Sequence, residues 1–526
     1  MGDIGFQAVR ILSRLWRPIY FLLVKILGFH YVFILMPFGL LEEKYNGTTF
    51  KILTYPIFFI IFLFWLRGRI TEIIRIFKKD FKFPSLIDLT QNKKYTFKKL
   101  DKEVTQAKEG VFLGRIKDKN IIKPQTEDGH ILVVGGQGSG KTTSIAIPTL
   151  LTWTAPIFAI DIKGELSGLT KNNRKNMKIF DPMDFNTFTY DPYSIFKSNV
   201  NRVQSAREIA ISILPVPEDV RDPFWKQSAQ NLLTASILHF ENLGFDFPGT
   251  MKKVMSLPPT RLIEELKNSQ DTNAPLFANQ FIDIDIKTLG GIFTELSNNI
   301  LLFATDDNII KSLERTSKNI SIDDLENGKD IFLRFQEDKL EQWKQVINLI
   351  VSQFLRGFER RLDNNDKPIL FLLDEFPRLG KIEGITNGLS TLRSKKIHIL
   401  LIIQSLAQLD DIYSKEKRKI IADNCRYKAV LNAFDSDTQD YFSRLVGTYD
   451  MDKFSSSQNY GIEGVSRGSG TSKTIEERKI IKPEEFAYLS DTLVLFTPKG
   501  FETPKKVPYF LDKNFTNILK SGVEIS

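Results

Sequence analysis

The stretch HILVVGGQGSGKTTSIAIPTL, residues 130–150, predicts an apolar strand, a glycine-rich turn and a helix rich in small and apolar residues. Within it, Gly135, Gly140, Lys141 and Thr142 occupy every fixed position of the P-loop pattern. Backbone N–H groups of such a turn converge on the β-phosphate of a nucleotide, where the helix N-terminus adds partial positive charge. The stretch therefore predicts an α/β domain that binds a nucleoside triphosphate.

Two side chains of this turn have an expected role toward ATP and Mg²⁺. Lys141 is expected to reach the β- and γ-phosphates as a catalytic residue, and the Thr142 hydroxyl to coordinate the metal. The predicted nucleotide-binding residues are Gly135, Gly136, Gln137, Gly138, Ser139, Gly140, Lys141, Thr142 and Thr143.

A second apolar run, PILFLLDE at 368–375, ends in two acids. Ligands of open α/β sheets lie at the carboxyl ends of the strands, so these acids are expected at the same sheet edge as the P-loop. Asp374 is predicted to hold Mg²⁺ through water, and Glu375 to orient the attacking water.

Two further apolar runs complete a sheet of at least four parallel-type strands that alternate with helices. The run at 156–165 leads into Asp161, and the run at 397–403 ends at Gln404. Gln404 is a candidate sensor of the γ-phosphate, and a simple strand-end cap is the alternative.

Two long apolar segments predict an N-terminal membrane anchor over residues 1–79. The segments, at about 19–41 and 50–66, are flanked on both outer sides by arginines and lysines. About 20 apolar residues are enough for a helix to cross the hydrocarbon layer, and flanking positive charge stays in the cytoplasm. The two spans are therefore expected to leave both termini and the nucleotide-binding domain in the cytoplasm.

Composition narrows the class of protein further. The 526 residues hold 72 Lys and Arg against 63 Asp and Glu, a net charge of +9, which suits phosphate-bearing partners or a membrane surface as well as an ordinary solvated surface. A single cysteine excludes an intramolecular disulfide framework. One cysteine and four histidines also provide few ligands for a structural zinc site.

In this order the segments resemble the coupling proteins of type IV secretion and bacterial conjugation, over nearly the whole chain. The further shared motifs are D-x-K-G-E at 161–165, DPFW at 222–225, LLDEF at 372–376, IIQS at 402–405 and ADNC at 422–425. The resemblance implies an inner-membrane ATPase whose RecA-like domains form hexameric rings. It also implies an all-α domain inserted in each subunit, and as partners the secretion channel together with a relaxase–DNA complex, effector proteins or both.

The resemblance assigns domains and one more site residue. A RecA-like domain is expected over 80–192 and 319–512, the all-α insertion over 193–318, and a C-terminal tail over 513–526. The family carries an arginine that reaches the neighbouring subunit's ATP, and Arg393 matches its position, although Ser-Lys-Lys follows where the family has glycines. The Ser- and Gly-rich residues 454–473 are predicted to form a flexible loop.

Three other classes compete with this interpretation. A membrane-anchored DNA translocase of the cell-division type shares the motor and the anchor, but usually carries more spans and a C-terminal winged-helix domain. An ABC-type transport ATPase would need an LSGGQ-like signature, which the sequence lacks. A scaffold with a vestigial site is disfavoured because Lys141, Thr142, Asp374 and Glu375 are all present. Whether the cargo is DNA, protein or both stays open.

Overall fold

The computed structural model describes residue 100 and residues 102–523, apart from 199–200, 218–219, 364–365 and 459–468. The two predicted membrane spans, at 19–41 and 50–66, lie outside the described residues. Among the helices that are described, none is both long enough and apolar enough to cross a membrane.

A nine-stranded sheet forms the centre of the described part of the chain, and a short ribbon and a long hairpin lie outside it. Its strand order is β13-β12-β9-β3-β8-β7-β4-β6-β5. The strands are β1 Gly110–Ile116, β2 Lys119–Pro124, β3 Ile131–Val134, β4 Ile157–Ile162, β5 Met177–Phe180, β6 Asp330–Phe335, β7 Ile369–Leu373, β8 Ile397–Ile403, β9 Tyr427–Val430, β10 Thr448–Gln458, β11 Ser469–Lys479, β12 Val494–Thr497 and β13 Gly500–Glu502.

Seven strands of the sheet, from β9 to β5 in that order, run parallel, while β12 and β13 add an antiparallel edge. The central strands β3, β7 and β8 are buried along their whole length because helices cover both faces of a parallel sheet. The predicted parallel sheet is therefore confirmed, with more strands than the four apolar runs indicated.

Helices fill the connections between these strands. A turn of π-helix, Thr142–Ala146, follows the P-loop and continues into α2. The α-helices are α1 Lys102–Gln106, α2 Ile147–Thr152, α3 Glu165–Thr170, α4 Ile195–Ser198, α5 Arg202–Ile213, α6 Phe224–Asn242, α7 Phe247–Ser256, α8 Pro259–Lys267, α9 Ala274–Ala278, α10 Ile286–Thr305, α11 Asp307–Ser312, α12 Ile322–Glu326, α13 Lys344–Glu359, α14 Ile385–Thr391, α15 Ala407–Asn424, α16 Ser436–Val446 and α17 Lys513–Ser521.

The eight helices α4–α11 all lie in the connection between β5 and β6, where the sequence predicts the all-α insertion. The two ends of this segment run side by side: Thr189 forms a parallel bridge with Asn319, and the Ile320 N–H donates to the Thr189 carbonyl at 2.8 Å. Its core is apolar, with α6 and α10 packed together and Phe247 against Phe303 at 5.2 Å between ring centroids.

The predicted flexible loop at 454–473 is wrong at both ends. Residues 454–458 continue strand β10 and residues 469–473 begin strand β11, which pair in register from Thr448 with Lys479 to Gln458 with Ser469. The sequence of residues 454–473 lacks the apolar alternation from which strands are recognised.

The predicted C-terminal tail is also wrong, because residues 513–521 form helix α17, which packs on the core. Phe515 is buried and its ring lies 5.3 Å from that of Phe112 in β1. Asp512 caps the helix and pairs with Arg115 at 2.6 Å. The folded unit therefore continues past residue 512.

Candidate functional site

The P-loop lies between β3 and α2 at the carboxyl edge of the parallel sheet. The Gly135 N–H donates to the Ile403 carbonyl at the end of β8 (3.1 Å), which fixes the start of the turn. Gly138 and Gly140 have φ of +71° and +91°, values at which a side chain would strain the backbone. These two glycines let the turn curl tightly enough for its N–H groups to face one ligand.

Lys141 lies folded against this turn. Its Nζ donates to the carbonyls of Gly135 (2.6 Å) and Gly136 (2.9 Å). Burial lowers the pKa of the ammonium, and the negative charges of Asp374 and Glu375 oppose that shift. The three groups predicted to act on the phosphates and the metal are thus close enough to influence one another.

Thr142 and Asp374, which are far apart in sequence, meet at the predicted metal position. The Thr142 hydroxyl donates to Asp374 Oδ2 at 3.2 Å. Burial raises the pKa of Asp374 to about 6, with a further contribution from Glu375, while the bonds from the Glu375 N–H and Thr142 act in the opposite direction. A hydroxyl and a carboxylate oxygen are hard ligands of the kind that Mg²⁺ prefers, so this pair fits the metal.

Glu375 directly follows Asp374 and has an unusual backbone. Its φ is +48°, in the left-handed region that residues other than glycine seldom adopt, and its N–H donates to Asp374 Oδ1 at 2.9 Å. Its carboxylate pairs with Arg378 at 2.7 Å and is partly exposed. Residues strained in this way cluster at functional sites.

Gln404 and Arg393 lie at opposite ends of β8. Gln404 follows the strand at the carboxyl edge, beside the P-loop strand β3, and its N–H donates to Gln408 Oε1 at 3.2 Å. Arg393 is exposed in the turn before the strand, at the amino edge. The seven residues of β8 span roughly 20 Å, so Arg393 is not brought to the P-loop of its own chain.

Asn432 belongs to the site, although the sequence analysis did not identify it. It follows β9, the neighbour of β3 on the side away from β8, and is almost completely buried. Its Oδ1 accepts a hydrogen bond from the Gly136 N–H at 2.6 Å. A polar residue at the end of an apolar run, here 429–431, was the available signal, as at Asp374 and Gln404.

Asp161, in the D-x-K-G-E motif, has a structural role. It is fully buried and accepts hydrogen bonds from the N–H groups of Leu166 (3.0 Å) and Ser167 (2.8 Å) at the start of α3. Burial raises the pKa of its carboxyl, and these bonds oppose the shift. The aspartate therefore fixes the turn at the end of β4, while Lys163 extends from that turn toward Glu337 at 3.2 Å.

The glycine turn, its lysine and the Thr142–Asp374 pair at the carboxyl ends of parallel strands define a nucleoside triphosphate-binding protein of the P-loop class, with a RecA-like sheet. Comparison with known families extends this result. Residues 87–524 match the model of the family described as type IV secretory system conjugative DNA transfer, and the chain belongs to that family.

Individual relatives and solved structures agree with the family match. Protein VirD4 of Rhizobium radiobacter is 26% identical over 416 residues, which are 75% of this chain and 59% of VirD4. The chain thus spans less than two thirds of that relative's length. The unbound bacterial conjugative coupling protein TrwBdeltaN70 is 16% identical with a TM-score of 0.62, covering 78% of this chain and 91% of TrwBdeltaN70.

A second solved structure contains a ligand. The plasmid coupling protein TrwB in complex with ADP and Mg²⁺ is 17% identical with a TM-score of 0.59, covering 77% of this chain and 89% of that one. At such identities, the two structures show a shared fold.

Proposed function

We propose that this chain is an ATPase that couples substrates to a type IV secretion or conjugation channel at the inner membrane. The observation that carries the proposal is the contact of Thr142 with Asp374 at 3.2 Å beside Lys141, within a chain of this family. A P-loop with both metal-side groups in place is equipped for phosphoryl transfer, and a scaffold with a vestigial site would have no use for it.

The residues of the site divide the work of hydrolysis. Lys141 exchanges the carbonyls of its own turn for β- and γ-phosphate oxygens, which are stronger acceptors because they are charged. Thr142 and Asp374 would hold Mg²⁺, which would neutralise charge on the β- and γ-phosphates. Glu375 orients the attacking water, and Gln404, beside the loop, contacts the γ-phosphate. The TrwB complex contains ADP and Mg²⁺, a nucleotide and a metal of the kind that this site is proposed to bind.

A complete site requires a second subunit. Arg393 is exposed at the sheet edge opposite the P-loop, so it is free to reach the nucleotide of a neighbour but not that of its own chain. An arginine supplied in trans stabilises charge that develops on the transferred phosphoryl group. This division of the site supports a ring of identical subunits, which we take to be a hexamer.

The membrane anchor and the cargo complete the proposal. The apolar segments at 19–41 and 50–66 cross the inner membrane twice and leave the ATPase in the cytoplasm. The ring receives a relaxase–DNA complex or an effector protein and delivers it to the channel. ATP turnover measured with and without single-stranded DNA distinguishes the two kinds of cargo.

The test is Lys141→Ala in the full-length chain. The expected result is loss of ATP turnover and of substrate transfer with an unchanged melting temperature, because the ammonium group bonds to backbone carbonyls of the phosphate-binding loop itself. Lys171→Ala, an exposed lysine at the end of α3, is the matched control. Wild-type turnover in the Lys141 variant contradicts the assignment of this loop as the ATPase site.

A further inference from the structure

We propose that Arg378 is a positioning residue that holds the carboxylate of Glu375 away from the nucleotide, so that hydrolysis requires its release. The inference rests on the proposed function and concerns when the site becomes active. It starts from one contact: Arg378 Nη1 lies 2.7 Å from Glu375 Oε2 and 2.7 Å from Glu337 Oε1.

The strand order shows on which side of β7 this contact lies. The P-loop strand β3 is two strands from β7 in one direction, through β8, and β6 is two strands away in the other direction, through β4. Glu337 comes two residues after the end of β6. By bonding Glu337, Arg378 therefore draws the Glu375 carboxylate toward β4 and β6, while Asp374 contacts Thr142 on the P-loop side.

The contact belongs to a chain of alternating charges across three strand ends. Glu375 pairs with Arg378, Arg378 with Glu337, and Glu337 with Lys163 at 3.2 Å. Exposure rises along this chain: the Glu375 and Arg378 side chains are 28% and 33% exposed, and those of Glu337 and Lys163 are 48% and 55% exposed. A partner that binds at the exposed end can therefore change the restraint on Glu375.

The geometry also implies that the restraint is weak enough to be released. A carboxylate whose oxygen is occupied by a guanidinium is a poorer acceptor for water, so the paired state is the slow one. Partly exposed ion pairs are worth about 1 kcal/mol or less, so the unpaired state is populated to a significant fraction. Glu337 anchors Arg378 on the side away from the P-loop, so removing Glu337 should weaken the restraint on Glu375.

The test measures steady-state ATP turnover and nucleotide affinity in the full-length chain. Arg378→Ala is expected to raise kcat about fivefold, which corresponds to about 1 kcal/mol, with the Kd of a fluorescent ATP analogue changed by less than twofold. Arg378→Gln should behave likewise, and Arg378→Lys should keep the low wild-type rate. Glu337→Gln should also raise kcat, by less than Arg378→Ala, since Arg378 then loses the anchor that draws Glu375 away from the nucleotide.

A rise of kcat in both the Arg378 and the Glu337 variants separates a restraint from simple structural damage, which would lower kcat in both. Arg261→Ala is the matched control, because Arg261 pairs with Glu264 three residues away, as Arg378 does with Glu375, on helix α8. The double variant Glu375→Gln/Arg378→Ala should show no rise, because no carboxylate remains to be released.

The outcomes separate this inference from the function on which it rests. In one outcome the wild type turns over ATP and Lys141→Ala does not, while Arg378→Ala and Arg378→Gln show no rise in kcat. That result overturns the restraint and leaves the ATPase proposal intact. Absence of turnover in the wild type, or turnover that survives Lys141→Ala, overturns both.

Discussion

Replacing Asn432 by alanine should weaken nucleotide binding about tenfold, although this residue is not expected to touch the nucleotide. Its Oδ1 accepts the Gly136 N–H at 2.6 Å, and the side chain is almost completely buried. A buried donor left without a partner costs about 1–3 kcal/mol. In the free variant, the loop can recover part of that cost by turning the Gly136 N–H toward water. Nucleotide binding must reverse this movement, so binding should become less favourable by about 1.4 kcal/mol, which is a tenfold increase in Kd.

Titration of the full-length chain with a fluorescent ATP analogue at fixed Mg²⁺ measures this change directly. The matched control is Asn424→Ala, an asparagine at the end of α15 whose amide donates to the Ile420 carbonyl at the surface. A Kd for Asn432→Ala within twofold of the wild-type value, in a variant that melts normally, would refute the reasoning, because the bond would then have no part in shaping the phosphate turn.

Three more predictions concern the acidic pair, Arg393 and the buried Lys123 of strand β2. Glu375→Gln should bind Mg·ATP normally and lose turnover, whereas Asp374→Asn should also weaken Mg²⁺-dependent binding; equal Mg·ATP affinities would contradict their separate roles. Arg393→Ala should cost about 10³-fold in turnover, and rings that mix it with Lys141→Ala should regain partial activity; mixed rings that stay inactive would mean that Arg393 does not act in trans. Burial lowers the pKa of Lys123 from 10.5 to about 7, so between these pH values the unfolded chain binds one proton more than the folded chain. The free energy of unfolding, measured in urea, should therefore rise with pH in the wild type relative to Lys123→Met. A difference between the two proteins that stays constant with pH would refute the shift.

The sequence predicted the parts of the site that have a fixed local pattern. The P-loop has a required spacing, and Asp374 and Gln404 each follow an apolar run long enough to be recognised as a buried strand. Their meeting at one sheet edge then follows from the rule that parallel strands end on the same side, and the contact of Thr142 with Asp374 at 3.2 Å agrees with it.

The contacts that the sequence did not predict depend on register and on side-chain direction. Asn432 is 296 residues from Gly136, and only the pairing of β9 with β3 brings the two together. Arg378 looked like an ordinary charged residue, because its two partners follow different strands. The sequence of the hairpin of β10 and β11 has no sustained apolar alternation, and helix α17 is too short for its single buried residue, Phe515, to reveal it.

The bridge between Thr189 and Asn319 has a consequence for how such proteins can diversify. The polypeptide leaves the sheet and returns to it at neighbouring backbone positions, held by the Thr189–Asn319 side-chain bond at 2.9 Å. Closing a chain between two adjacent points costs little more entropy for a long segment than for a short one. The helices between these points can therefore be lengthened or exchanged for those of a relative while the sheet keeps its register, provided that the packing of α5 on α13 is preserved. A chimera built at residues 189 and 319 would carry a foreign all-α domain on an unchanged nucleotide-binding sheet.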